Sequence, residues 1–180
     1  MRLNFGSYHI IPIHPKDGWN MCNFIVANED RLKSYFPLTL EQNLTPDLSN
    51  IFVAKKAKKF EAKEEFLFTL KKNESSKLVG LVYVKEVDWD KKQGEFAYCI
   101  DYNFEGKGLI TEAIQQLSDY AFDILGLETL QIISHKSNIG SIKVAENNNF
   151  TWIKTLKNEF TPPEGNALNM ELYELYNEIE

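Results

Sequence analysis

Two glycines flank a lysine at Gly106-Lys107-Gly108, four residues after the apolar run EFAYCID (95–101) and directly before an aliphatic, helix-forming segment. Glycine permits positive φ and lets a ligand approach the backbone closely. The first amides of a helix have no intrahelical partner, and the helix dipole adds about half a positive charge at that end. The turn is therefore either a plain tight turn or an anion site, for which a pyrophosphate is the natural ligand.

Two common phosphate motifs do not fit this turn. A Walker loop needs Ser or Thr after its GK pair, but Gly108 and Leu109 follow Lys107 here. A dinucleotide-binding GxGxxG motif needs a third glycine, and position 111 is Thr111. What remains is a GxG turn between the last strand of a meander and an amphipathic helix. This feature alone does not decide between a plain tight turn and an anion site.

The other reactive residue types give little sign of a metal or redox centre. Cys22 and Cys99 are far apart and form no CxxC pair, so we expect buried thiols. His9, His14 and His135 lack the spacing of a zinc site, and we expect no metal. The net charge of −6 argues against nucleic-acid binding and suits a cationic partner such as an amine or a basic peptide.

Hydrophobic periodicity predicts the elements that would hold the turn in place. We expect a first strand at 7–13, helices at 16–35 and 46–63, an antiparallel meander at 65–71, 77–87 and 95–101, a helix at 109–125, a strand at 127–134, a helix at 138–148 and two closing strands. Asn138 is a good N-cap for the helix at 138–148. After that helix, Asn149 can take the left-handed conformation that glycine usually supplies.

Length and composition indicate one α/β domain over residues 1–180. A hydrophobic content of 43% and a charged content of 26% are ordinary for a globular protein. No apolar run reaches the roughly 20 residues that a membrane span needs, and the N-terminus lacks the pattern of a signal peptide. We therefore expect a cytoplasmic protein with no membrane partner.

Several segments, taken in order, carry a family resemblance. They are GKGLITEA (106–113), the aromatic-rich helix YAFDILGL (120–127), the N-x-x-S pair Asn138 and Ser141 before Phe150, RLKSYFP (31–37) and KLVGLVYV (77–84). Together they resemble the GNAT acetyltransferases, most of all the RimJ/RimL-type branch of ribosomal-protein N-acetyltransferases. The resemblance covers about residues 7–176. It implies a single-domain GNAT fold with a mixed central sheet, an antiparallel meander, a splayed strand pair and helices on both faces.

The resemblance also implies acetyl-CoA as the cosubstrate and suggests where it binds. Acetyl-CoA would lie between the EFAYCID strand and the next strand. Backbone groups of Tyr98, Cys99 and Ile100 would pair with the pantetheine arm, as an added strand does. The pyrophosphate would rest on residues 104–111, namely Phe104, Glu105, Gly106, Lys107, Gly108, Leu109, Ile110 and Thr111.

Catalytic roles follow from the same resemblance. An amine would attack the thioester directly in a ternary complex. Ser141 would donate a proton to the leaving thiolate, and Asn138 would orient the pantetheine. Glu95 is the candidate general base. The structural alternatives are a first-turn serine that bonds the backbone, a plain N-cap asparagine and a solvent-facing glutamate at a strand end.

The chain departs from the family pattern at three places. Asn103 stands where Gln or Arg is usual, NNNF (147–150) replaces KLGF, and Tyr35-Phe36 replaces Trp-Leu. We expect an N-acetyltransferase whose acceptor is a protein N-terminus or a small amine such as a polyamine or amino sugar. The alternative is a non-catalytic CoA-binding module. Either would act as a monomer or homodimer.

Overall fold

The computed structural model of the chain describes residues 1–177, and the described part contains eight strands and six helices. The strands are β1 (Leu3–Phe5), β2 (Tyr8–Pro12), β3 (Phe66–Lys72), β4 (Leu78–Asp88), β5 (Gln93–Ile100), β6 (Thr129–Ser134), β7 (Thr151–Phe160) and β8 (Leu168–Tyr176). The helices are α1 (Gly18–Ala27), α2 (Glu29–Tyr35), α3 (Pro37–Glu41), α4 (Pro46–Glu61), α5 (Leu109–Asp123) and α6 (Ile139–Asn147). Short 3₁₀ turns cover Pro15–Asp17 and Tyr102–Phe104.

The strands form one mixed sheet in the order β1-β2-β3-β4-β5-β6-β8-β7. β5 and β6 are parallel, while β1–β2, β2–β3, β6–β8 and β7–β8 are antiparallel. The links from β3 to β4 and from β4 to β5 are too short for a parallel crossover, so these neighbours are antiparallel as well. The predicted α/β class, mixed sheet and meander are confirmed.

The pairing between β5 and β6 covers only part of either strand. It runs from Gln93↔Thr129 to Phe96↔Ile132 and ends there. β5 nevertheless continues to Ile100, and β6 continues along β8 as far as Ser134. This early end of the ladder agrees with the predicted splayed strand pair.

The chain divides into two compact units, and β4 and β5 contribute residues to both. One unit comprises Met1–Tyr83 and Tyr98–Leu109, and the other comprises Val84–Ala97 and the chain from Ile110 onward. That residues 1–180 form one domain stays a prediction, and its last three residues lie outside the described part. Within residues 1–177, none of the helices combines the length and apolar character that crossing a bilayer requires.

In the first unit, the core is built around β3, where six of the seven residues are buried. Phe60 packs edge-to-face on Phe66 and Phe68, at 5.0 and 5.2 Å between ring centroids. The predicted continuous helix at 16–35 is wrong. Asn28, with φ −116° and ψ 19°, separates α1 from α2.

In the second unit, α5 buries one face in the core. Its buried residues include Ile110, Ala113, Ile114, Leu117 and Ala121, which recur at helical spacing. The helix ends at Asp123, two residues before the prediction, and Gly126 follows with φ +72°. A left-handed glycine just after a helix is a common stop, because it redirects the chain without a Cβ clash. α5 thus runs from Leu109, the residue after Gly108, to Asp123.

Candidate active site

The predicted phosphate turn has the backbone conformation that its glycines allow. Gly106 and Gly108 have φ values of +67° and +72°, and α5 begins at the next residue, Leu109. A Cβ built on either glycine meets no atom within 4 Å. Glycine is therefore needed for the left-handed backbone, and the space beside the turn is open to a ligand.

The residues before the glycines fold around Phe104. Lys107 Nζ donates to the Asn103 carbonyl at 2.9 Å and lies 4.9 Å from the Phe104 ring centroid. Lys77 Nζ lies 5.1 Å from the same centroid. Two ammonium groups thus lie beside the turn, where each gains a favourable interaction with the aromatic ring.

Asn103, which departs from the family pattern, holds the turn internally. Its backbone amide and its Nδ2 donate to Asp101 Oδ1, at 2.9 and 3.0 Å. Asp101 is buried and lies 3.4 Å from Lys77 Nζ. Asp101 therefore forms an Asx-type turn with the Asn103 amide and caps the 3₁₀ turn at Tyr102–Phe104, and the short Asn103 side chain adds a second hydrogen bond to the same oxygen.

Leu109 and Ile110 have buried side chains, which limits how they could contact a ligand. These two residues could therefore contact a ligand only through their backbone amides. Backbone amides are the donors that an anion site at a helix N-terminus uses. The carbonyl of Thr111 accepts a hydrogen bond from Asn148 Nδ2 at 3.2 Å. This bond ties the first turn of α5 to the end of α6.

Tyr98, Cys99 and Ile100 form the last three residues of β5, and all three are half-buried. Burial raises the pKa of the Cys99 thiol to about 12. The thiol therefore stays protonated near neutral pH and is a poor nucleophile. A Cβ at Gly80 would lie 3.1 Å from the Cys99 carbonyl, so Gly80 allows β4 to approach β5 closely.

Glu95 lies on β5 and is bound to a lysine of the preceding strand. Lys85 Nζ is 2.9 Å from Glu95 Oε1, and the Glu95 side chain is only 14% exposed. Burial raises the pKa of the Glu95 carboxyl, and the charge of Lys85 opposes that shift. Glu95 is thus a largely covered carboxylate paired with one cation, rather than the solvent-facing glutamate of the structural alternative.

Asn138 and Ser141 are brought together at the start of α6. Asn138 Oδ1 accepts a hydrogen bond from the Ser141 backbone amide at 3.1 Å. Asn138 is therefore the helix N-cap, and its exposed side chain performs the structural role considered for it. Ser141 is half-buried in the first turn. At the other end of α6, Asn149 has φ +61°, as predicted.

The predicted site residues fall in both units. Tyr98, Cys99, Ile100 and residues 104–109 belong to the first unit, whereas Glu95, Ile110, Thr111, Asn138 and Ser141 belong to the second. Within residues 1–177, no three His, Cys, Asp or Glu side chains gather into a group that could hold a metal ion.

Two residues that contact the turn were not predicted. Arg31 forms an ion pair with Glu105 and also donates to the Ile100 carbonyl at 3.4 Å. Asn28 Oδ1 accepts a hydrogen bond from the Tyr102 amide at 3.2 Å. Arg31 is the first residue of the RLKSYFP segment, so the sequence motif already included this residue. Nothing in the sequence around Asn28 indicated its contact.

The SYFP part of that segment packs through one aromatic ring on another residue of the first unit. Phe36 stacks on Tyr83 with ring centroids 6.5 Å apart. Burial raises the pKa of the Tyr83 hydroxyl, which lies 3.5 Å from Thr39 Oγ1. Tyr35, in contrast, is exposed. The aromatic pair that replaces Trp-Leu is thus split between a buried contact and the surface.

Comparison with known proteins identifies both a family and a fold. The acetyltransferase (GNAT) domain family matches residues 9–151. Spermidine N(1)-acetyltransferase from Escherichia coli (strain K12) is 33% identical over 81 residues, which are 45% of this chain and 44% of that enzyme.

Two solved structures share the fold over nearly their whole length. Ribosomal-protein-S5-alanine acetyltransferase from Vibrio fischeri superposes with a TM-score of 0.92 at 19% identity, covering 99% of this chain and 97% of that one. The ribosomal L7/L12 α-N-protein acetyltransferase RimL, in complex with coenzyme A, has a TM-score of 0.88 at 13% identity, with 98% of both chains covered. These matches confirm the GNAT fold implied by the sequence motifs.

The raised pKa of Glu95 predicts how its contribution to stability varies with pH. The unfolded chain has a glutamate pKa of about 4.3, and the folded pKa of Glu95 lies above it. As pH rises from about 4.3 through the folded pKa, the unfolded state loses its proton more readily than the folded state does, so the free energy of unfolding falls. Glu95→Gln does not titrate, so its stability relative to the wild type should rise over that window. Urea unfolding between pH 4 and 8 measures this difference.

Lys85→Met provides the matched comparison, because it removes the cation that lowers the Glu95 pKa. Carboxyl titration followed by NMR should show the midpoint of Glu95 moving further upward in this variant. If the difference in unfolding free energy between wild type and Glu95→Gln does not vary with pH, the raised pKa of Glu95 is contradicted.

Proposed function

Because the chain belongs to the GNAT family of N-acetyltransferases, we propose that it transfers an acetyl group from acetyl-CoA to a primary amine, with a protein N-terminus as the acceptor. The observation that carries the choice of acceptor is the pairing of Glu95 with Lys85. Lys85 limits the rise in the Glu95 pKa that burial causes, so the carboxylate is a weaker base than burial alone would make it, and this favours an acceptor that needs little deprotonation.

The pKa values of amines support this choice. An α-amino group has a pKa of about 7.7–8.0 and a lysine side chain about 10.4, so the free base of an N-terminus is a few hundred times more abundant at pH 7. Since only the free base attacks a thioester, an N-terminal acceptor reacts without a strong base. The remaining rate enhancement then comes from holding the two substrates together.

In the proposed mode of cofactor binding, the glycine turn takes the pyrophosphate. Backbone amides within residues 104–111 would donate to its oxygens, except the Phe104 amide, which donates to the Asp101 carbonyl at 2.8 Å. This proposal is supported by the left-handed glycines, the open space beside them and the start of α5 at Leu109. The backbone of residues 98–100 would bind the pantetheine arm, since the β5–β6 ladder ends at Phe96.

In the proposed reaction, the amine nitrogen forms a bond to the thioester carbonyl carbon and the carbon–sulfur bond breaks. Ser141 would give a proton to the departing thiolate. The proton lost by the amine would go to Glu95, directly or through water. A backbone amide of residues 98–100 would polarise the carbonyl. The acetylated amine and CoA are the products.

A small polyamine is the second candidate acceptor, because one relative supports it. The E. coli enzyme that is 33% identical over 81 residues is a spermidine acetyltransferase, although the match spans less than half of either chain. The net charge of −6 would attract such a cation. A direct comparison of acceptors separates the two candidates.

An acceptor panel tests the proposed function. We expect acetylation of short peptides with a free N-terminal Ala or Ser, detected as CoA release and as a mass increase on the α-amine. Peptides that have a blocked N-terminus and an internal lysine are the matched control and should remain unmodified. Turnover with spermidine alone would favour the second candidate, and no turnover with any amine would contradict both.

Gly108→Glu and Gly108→Gln together test the pyrophosphate site. Both place a side chain at φ +72° and should lose similar stability, about 1 kcal/mol. Only Glu adds a negative charge to the amide nest, so we expect it to weaken acetyl-CoA binding at least tenfold more than Gln does. Calorimetric titration measures both affinities, with ATP and NAD as control ligands. Equal binding by the two variants would remove the turn from the site.

Ser141→Ala tests the proposed proton donor. The hydroxyl acts on the leaving group, so kcat should fall by about 10² while the affinity for acetyl-CoA stays within about threefold. Ser141→Thr keeps a hydroxyl and should retain more activity than Ser141→Ala. Unchanged turnover in Ser141→Ala would leave Ser141 with only a structural role.

A further inference from the structure

We propose that Arg31 is a positioning residue, whose ion pair with Glu105 makes the glycine turn able to accept a pyrophosphate. The inference rests on the proposed function, because it assumes that acetyl-CoA binds at residues 104–111. It adds a residue outside the predicted site and a charge relation between that residue and the turn.

The need for such a residue arises from the turn itself. Glu105 directly precedes Gly106, so a carboxylate lies beside the amides that would bind the phosphates. An uncompensated negative charge there repels a pyrophosphate and opposes the positive end of the α5 dipole. The turn therefore needs a cation to balance Glu105.

Arg31 supplies that cation from α2. Its Nη2 atom is paired with Glu105 Oε1, and its Nη1 atom lies 3.4 Å from the Ile100 carbonyl. The guanidinium thus reaches both the end of β5 and the residue before the first glycine. Because its donors form a rigid planar fork, it can hold two acceptors at once, which a lysine ammonium cannot do with the same geometry.

Asn28 anchors the same segment from the start of α2. It is 3% exposed, accepts from the Tyr102 amide at 3.2 Å and donates to the Phe24 carbonyl at 2.8 Å. Residues 100, 102 and 105 are therefore held by two side chains that are three positions apart. The junction of α1 and α2 fixes the path of the chain into the glycine turn.

Asp101 and the two lysines beside the turn have partners of their own. Asp101 lies 3.4 Å from Lys77 Nζ, and Lys107 donates to the Asn103 carbonyl. Lys77 and Lys107 both lie against the Phe104 ring. Removing Arg31 would therefore take away the cation that now pairs with the Glu105 carboxylate.

A double-mutant cycle on Arg31 and Glu105 tests the proposal, with acetyl-CoA affinity measured by calorimetric titration. We expect Arg31→Gln to weaken binding about tenfold, and Arg31→Gln/Glu105→Gln to bind within about threefold of wild type. Glu105→Gln alone should bind as tightly as wild type or more tightly. For Arg31→Gln, the loss should shrink as salt is raised, and kcat at saturating acetyl-CoA should not change.

Lys33→Gln is the matched control, since it removes a cation from the same helix that pairs with Asp30 instead. It should bind acetyl-CoA like wild type. The proposal is overturned if Arg31→Gln binds normally, if the double variant stays as weak as Arg31→Gln, or if Glu105→Gln weakens binding. The Glu105→Gln arm keeps the test decisive should Arg31→Gln fail to fold. Absence of acetyl-CoA binding by the wild type would overturn the proposed function itself.

Discussion

The left-handed backbone at Gly106 and Gly108 is the constraint on which the proposed cofactor site depends. Any residue with a Cβ is strained at φ values near +70°, so the turn that leads from the 3₁₀ segment into α5 is specific to glycine. This turn sets where α5 begins. The position of the first free amides follows from that start, and so does the positive end of the helix dipole.

The segment that enters the turn is acidic, and cations from elsewhere in the chain balance its carboxylates. Glu105 and Asp101 place two carboxylates within the segment that enters the turn, and Arg31 and Lys77 pair with them. The local charge is therefore set by residues distant in sequence. A net charge of −6 for the chain says little about the charge at the turn.

Local features were predictable from the sequence, whereas long-range contacts were not. The start of α5 at Leu109 and the left-handed Asn149 follow from residue type and neighbours, and both were predicted. The break at Asn28 was missed because it is stabilised by a bond to Tyr102, which is 74 residues away. The Glu95–Lys85 pair depends on which residues face each other across two strands, and periodicity does not reveal that register.

The half-buried ion pair between Glu95 and Lys85 on the sheet bears on the proposed choice of acceptor. Burial raises the pKa of the Glu95 carboxyl, and the charge of Lys85 limits that rise without reversing it. Lys85 lowers the basicity of the Glu95 carboxylate, but it also pairs with a negative charge that is largely shielded from solvent. Acceptors with a low amine pKa lose least by this arrangement. If Lys85 were replaced by a neutral residue, the pKa of Glu95 would rise further, and Glu95 in its proposed role of general base would then suit more basic amines.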